Sequence, residues 1–260
     1  MDYCFVVGSA RSGTSILGEL IASHPEVKYI FEAHSIWEIA GAGINDGHRY
    51  TADYATDDVK EQIRNWFQEQ SQSAAMVVEK NPRNILRVPF IRALFPEAKI
   101  IHIVRDGRDV ACSMVPGCGR DHWSHLKPPS WKEFFSEYSG AERCAMAWKE
   151  IMEIGMQDLS GISHLQVKYE DIVASPDLVA KKIFAYMELD LHPMVSEFCN
   201  QITNNTNNSY HAKYQNQWSE SDHESRVGRW RYNLTKVEQE KIGAILQPLL
   251  VALEYPIDQE

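Results

Sequence analysis

The stretch Phe5-Val6-Val7-Gly8-Ser9-Ala10-Arg11-Ser12-Gly13-Thr14-Ser15-Ile16-Leu17 decides the fold. It passes from a short apolar strand, through a turn of small residues, into a helix whose apolar residues recur at helical spacing. Backbone N–H groups in such a turn, and at the start of the helix behind it, favour an anion. Gly8 and Gly13 have the separation of a Walker A loop, but Thr14 stands where that loop carries Lys, and the nearest cation is Arg11. An ATP-hydrolysing loop uses its Lys on the β/γ-phosphates and a hydroxyl on Mg²⁺. An Arg inside the turn offers a planar fork for a bidentate oxyanion instead.

A second segment repeats the design. Ala98-Lys99-Ile100-Ile101-His102-Ile103-Val104 reads as a buried strand and runs directly into Arg105-Asp106-Gly107-Arg108-Asp109-Val110-Ala111-Cys112-Ser113-Met114. Arg105 at the strand end and Ser113, two helical turns on, are placed to meet on one further phosphate. Together the two segments resemble the 5′-phosphosulfate loop and the 3′-phosphate motif of sulfotransferases that use 3′-phosphoadenosine 5′-phosphosulfate (PAPS). The details are most similar to the tyrosylprotein and carbohydrate branches.

Outward from these turns, short apolar runs suited to buried parallel strands occur at Tyr3 to Val7, Val27 to Phe31, Ala75 to Val78, Ile100 to Val104 and Leu165 to Lys168. Helical patterns lie between and after them, at Ser15 to Ser23, Asp58 to Gln70, Arg83 to Phe95, Arg108 to Met114, Ser139 to Met156, Asp177 to Met187 and Lys236 to Leu253. The expected fold is α/β: a P-loop-like central parallel sheet of about five strands with helices on both faces, its ligands at the carboxyl ends of the strands. With 260 residues, a single domain covering 1–260 is expected. The aromatic-rich stretch from Pro116 to Tyr138 breaks the alternation and reads either as an acceptor-site lid or as a satellite cluster over the sheet edge. Asn200 to Asn216 is polar and reads as a loop.

Composition bounds the partners. A formal net charge of −10 argues against nucleic acid and means that an anionic cofactor must be held by a local concentration of cations and N–H groups. Five scattered cysteines read as reduced thiols, not as a disulfide framework or a zinc site. No apolar run approaches a membrane span and the first strand follows Met1 without a basic leader, so a cytoplasmic location is expected. The same pattern fits a lumenal catalytic domain whose anchor lies outside the sequence.

The resemblance implies roles for individual residues. Arg11 and the N–H groups of Ser12, Gly13, Thr14 and Ser15 would hold the 5′-phosphosulfate, and Arg105 with Ser113 the 3′-phosphate. Lys80, in Glu79-Lys80-Asn81-Pro82, would steady charge on the sulfate and bridging oxygen. Tyr169, in Tyr-Glu-Asp, would meet the adenine. Ser225-Arg226-Val227-Gly228-Arg229-Trp230-Arg231 resembles the family's phosphate-covering loop without its Arg-Lys-Gly order, so Arg226 and Arg229 are both candidate clamps. Arg108 and Asp109 read as a local ion pair.

Cytosolic sulfotransferases place a basic His shortly after the Lys, but Pro82 occupies that place here. Glu32, twenty-one residues after Arg11, resembles the catalytic glutamate of tyrosylprotein sulfotransferases. A carboxylate at a partly desolvated strand end is expected to have its pKa raised toward the working pH. His34 is the rival base and, were the strand to continue, would share a side with Glu32. The reading is sulfuryl transfer from PAPS to a hydroxyl acceptor (small molecule, sugar, lipid or peptide tyrosine), releasing adenosine 3′,5′-bisphosphate (PAP) without a metal. The alternatives are a P-loop kinase of small molecules and a non-catalytic sensor of adenosine bisphosphate.

Overall fold

The computed structural model describes residues 2–41, 47–71, 74–119, 121–206 and 222–257. Its strands are β1 (Asp2–Val7), β2 (Val27–Phe31), β3 (Met76–Lys80), β4 (Lys99–Val104) and β5 (Leu165–Lys168). All pair in parallel in the order β2-β3-β1-β4-β5. Strands covered on both faces read as continuous apolar runs, and β3 is buried along its whole length. The register sets Val6 beside Lys80, Phe31 beside Lys80 and Val7 beside His102, so β1, β2, β3 and β4 end along one edge.

Alternation sends Cys4, Val6, Val78 and Ile103 to one face, where they pack on α1 (Thr14–Ala22) and on the helices α8 (Tyr169–Ala174), α9 (Pro176–Met187) and α10 (Pro193–Thr203). Phe5, Val7, Val77 and Ile100 face the other way, onto α2 (His34–Glu38), α3 (Asp57–Gln70) and α4 (Val88–Leu94). A third cluster joins α5 (Gly107–Met114), α7 (Gly140–Leu159) and α11 (Lys236–Ala252). Gly107 permits this packing, because a Cβ there would lie 2.5 Å from the Trp148 ring.

Three sequence expectations change. The run from Arg83 to Phe95 divides into a 3-10 turn, Pro82–Leu86, and α4, because Pro89 has no N–H to continue a helix. β2 stops at Phe31. Glu32 is left-handed at φ 45 and α2 begins at His34, so strand alternation does not relate Glu32 to His34. Asn200 to Thr203 belongs to α10, while 207–216 falls outside the described residues.

The aromatic stretch divides between core and cavity wall. Trp123 and Phe134, the latter in α6 (Trp131–Glu137), are buried in the third cluster. Pro116, Gly117 and Ser124 to Leu126 instead wall a cavity over the sheet edge. No helix is long and apolar enough to cross a membrane among the described residues.

Candidate active site

The turn after β1 closes with Ser12 N–H donating to the Ser9 carbonyl at 3.2 Å. Arg11 and Gly13 are both left-handed, at φ 68 and 91. Gly13 is needed twice over, since a Cβ there would also lie 2.3 Å from the Tyr169 ring. No side chain caps α1, which leaves the N–H groups of its first turn open to a ligand. Ser12 is fully buried and its Oγ has no hydrogen-bond partner among the described residues. Gly13→Ala is expected to cost about 1–2 kcal/mol in the backbone alone and to push the Tyr169 ring aside. The check is the loss of the thermal shift produced by PAP.

The second bend is bonded directly to the first. Arg105 Nη1 donates to the Arg11 carbonyl at 3.0 Å, and Nη2 donates to the Arg226 carbonyl. Arg11 Nε donates to Ser113 Oγ at 3.0 Å. The Arg105 guanidinium lies 4.5 Å from the Tyr169 ring centroid, and its Nε has no hydrogen-bond partner among the described residues. Burial, and then repulsion from Arg105, Arg226 and Arg229, lowers the pKa of the Arg11 guanidinium to about 10. On an acidic protein, repulsion of this kind favours a polyanion at the site.

Tyr169 is 2% exposed. Its ring is wedged between Gly13 and Arg105, and its hydroxyl meets His223 Nδ1 at 3.2 Å. The ring thus stands between the two bends.

Asp109 plays a part that the sequence did not disclose. Its Oδ2 accepts from Gly228 N–H at 2.8 Å and its Oδ1 from Trp230 N–H at 3.1 Å, tying the C-terminal segment that carries Arg226 and Arg229 to α5. The expected Arg108–Asp109 pair does not form. Arg108 pairs with Asp106 at 2.8 Å and lies over the Trp230 ring, while Asp109 is 3.7 Å from Arg105. The local Asp-x-Arg spacing favours the first pair, and only the fold brings residue 228 to residue 109. Asp109→Asn exchanges one acceptor for a donor and strands an N–H, a loss of about 1–3 kcal/mol. The expected result is PAP binding weakened about tenfold, read by calorimetric titration.

At the other end of the turn lies the Glu32 cluster. Lys80, the last residue of β3, is fully buried, and its Nζ sits 2.6 Å from Glu32 Oε1, 3.4 Å from Ser15 Oγ and 3.8 Å from the Phe31 ring centroid. His34 Nε2 meets Glu32 Oε2 at 3.2 Å. Asn81 Oδ1 accepts from Arg83 N–H at 3.0 Å, which fixes the amide so that its Nδ2 faces His34 Nδ1 at 3.3 Å. That leaves the His34 proton on Nε2, donated to Glu32. Glu32 and His34 are therefore partners, brought together by the left-handed turn at Glu32.

The protonation expectation for Glu32 is corrected. Burial raises its pKa, but the hydrogen bond from His34 and the Lys80 ammonium outweigh burial and bring it down to about 2. Lys80 is itself lowered by burial, against the pull of Glu32.

A cavity of about 660 Å³ opens over this cluster, lined by Arg11, Thr14, Ser15, Glu32, His34 and Ser113 on its sheet side. Its outer wall holds His125, from the aromatic-rich stretch, together with His48 and Arg83, which sequence reasoning missed because they come from unrelated segments. No group of three or more His, Cys, Asp or Glu is arranged to hold a metal among the described residues.

An α/β fold that joins two arginine-bearing bends at one sheet edge is suited to hold a polyanion. The family model described as "Sulfotransferase family" matches residues 4–193, and the chain belongs to that family. It is 25% identical over 276 residues to nodulation protein NoeE of Sinorhizobium fredii, covering 97% of this chain and 65% of that protein. It is 22% identical over 226 residues to the protein-tyrosine sulfotransferase of Drosophila melanogaster, covering 77% of this chain and 41% of that protein. The chain thus spans between 41% and 65% of the length of these two relatives. The solved structure of mouse sulfotransferase SULT7A1 complexed with PAP has the same fold, with a TM-score of 0.55 and 16% identity, over 96% of this chain and 84% of that one.

Proposed function

We propose that the 260 residues act as one sulfotransferase domain that moves the sulfuryl group of PAPS to a hydroxyl acceptor and releases PAP. The observation that carries the reading is the joining of the two arginine-bearing bends, Arg105 to the Arg11 carbonyl and Arg11 to Ser113, with Lys80 bridging Ser15 of the cradle to Glu32. The buried Ser12 Oγ and Arg105 Nε, without hydrogen-bond partners among the described residues, and the uncapped start of α1 fit a ligand rich in oxyanions.

In this reading Arg11 and the N–H groups of Ser12, Gly13, Thr14 and Ser15 bind the phosphosulfate end. Arg105 and Ser113 bind the 3′-phosphate, with Arg226 and Arg229 closing over it and Tyr169 bracing the two bends. Glu32 accepts the proton of the acceptor hydroxyl as that oxygen bonds to sulfur. Lys80, placed between Glu32 and Ser15, balances the negative charge that develops on the bridging oxygen as its bond to sulfur breaks. His34, oriented by Asn81, holds the second oxygen of Glu32.

The arrangement disfavours a kinase. Asp106, the one acid next to the end of β4, is committed to Arg108 and to the start of α5. The sensor reading does not account for a buried Lys shared between a carboxylate and the cradle. The test is transfer of labelled sulfate from PAPS to a hydroxyl panel, alongside thermal shifts with PAP and with ATP/Mg²⁺. Transfer together with stabilisation by PAP is expected; stabilisation by ATP/Mg²⁺ alone overturns the reading.

A further inference from the structure

The acceptor half of the cavity has a chemistry of its own. Among the residues that line it, Glu32 is the sole carboxylate, and Phe31 and Leu126 are the only large non-proline apolar side chains. The Phe31 ring already carries Lys80, 3.8 Å from its centroid. Little apolar surface remains for a flat hydrophobic acceptor.

Polar groups dominate the rest, and their protons can be placed. His48 Nδ1 accepts from Lys127 N–H at 2.9 Å, so its proton is on Nε2 as a donor. His48 stays neutral at working pH because burial, followed by the charges of Arg83, Arg87 and Lys127, lowers its pKa to about 3. His125 Nε2 meets the Met114 carbonyl at 2.7 Å, which puts its proton there and leaves Nδ1 as an acceptor. One donor and one acceptor are thus offered to hydroxyls.

Arg83 adds a charge that the site does not neutralise closely. Its guanidinium is 28% exposed and its carboxylate neighbour is Glu38, 3.8 Å away, 54% exposed and outside the cavity lining. A pair that long and that wet holds little energy. An oxyanion from a ligand, fitted to the guanidinium fork, competes well with it.

Resting on the sulfotransferase reading, we propose that the acceptor is a small polyhydroxylated molecule bearing a carboxylate or phosphate, with its oxyanion on Arg83 and its hydroxyls on His48 and His125. One hydroxyl then reaches Glu32 while the anion fixes which one. Arg83 is the specificity-determining residue.

The test is calorimetric titration of PAP-saturated protein with glucuronate, glucose 6-phosphate, glucose, 4-nitrophenol and an acidic tyrosine peptide. At least one of the two anions is expected to bind about tenfold more tightly than glucose, the scale of one hydrogen bond to a charged group, and the tighter of the two identifies carboxylate or phosphate. Arg83→Ala should erase that preference at unchanged PAP affinity, and Arg83→Lys should keep part of it. Equal binding of glucose or 4-nitrophenol overturns the proposal, as does no binding of either anion, an unaltered preference in Arg83→Ala, or binding confined to an acidic tyrosine peptide. In all four cases the sulfotransferase reading stands. Failure of PAP to bind in the loading step removes that reading instead, and the proposal with it.

Discussion

Glu32→Gln is expected to lower turnover about a thousandfold, within the range for loss of a general base, while the Kd for PAP stays within about twofold of the wild type. The amide keeps the volume and can still accept from Lys80 or His34, so the fold survives while the proton acceptor is gone. Transfer of labelled sulfate from PAPS to an acceptor that the hydroxyl panel identifies reads the first quantity, and calorimetry with PAP reads the second. Near-normal turnover would transfer the role to His34. Arg105→Ala is expected to show the reverse pattern, weakening PAP binding first, because its guanidinium bonds to both phosphate-side segments.

The second large effect is at Lys80. Lys80→Met fills the same buried space without charge, and a loss of about a hundredfold in turnover is expected from one missing electrostatic contact to the leaving oxygen. It also changes the pH profile. In the wild type, Lys80 and His34 keep Glu32 ionised down to about pH 2, so kcat/KM has no acid limb from Glu32 in the ordinary range. In Lys80→Met that limb moves up toward the usual carboxylate values, near pH 4.

Stability follows the same sign. A carboxyl held down in the folded state stabilises above its unfolded pKa and loses that contribution as pH falls through its folded value, here from about 4.5 toward about 2. Thermal melts of the two proteins over that window should converge as the pH drops. An acid limb unchanged by Lys80→Met would show that Lys80 does not set the basicity of Glu32.

The resting site is thus charged for binding more than for proton transfer. A carboxylate with a pKa of about 2 is a weak base, and both of its oxygens are occupied. Lys80 touches both Glu32 and Ser15 of the cradle, so it couples the two ends of the site: any oxyanion that draws Lys80 toward Ser15 leaves Glu32 more basic. The left-handed backbone at Arg11 and Glu32 places two of the five such non-glycine residues, among those described, at this site. Strain of that kind persists where surrounding structure fixes it, here through the hydrogen bonds from Arg105 to the Arg11 carbonyl and from Glu32 N–H to the Lys80 carbonyl.

By itself the sequence determined the parallel sheet, the cradle after β1 and the arginine at the end of β4. Each of these rests on local chemistry: apolar runs of strand length, small residues in a turn, and a helix start within a few positions. The positions of Lys80 and Glu32 at the ends of apolar runs were legible for the same reason, while their roles came from the family resemblance. Tertiary structure decided the rest, because it depends on distances between segments far apart in the chain. The direction of the Glu32 shift required Lys80 at 2.6 Å, which outweighs the burial visible in the pattern. Asp109 acquired its partners 119 and 121 positions away, and Tyr169 was buried by Gly13 and Arg105. His48, Arg83 and His125 share a wall only after the chain has folded, since no periodicity links them.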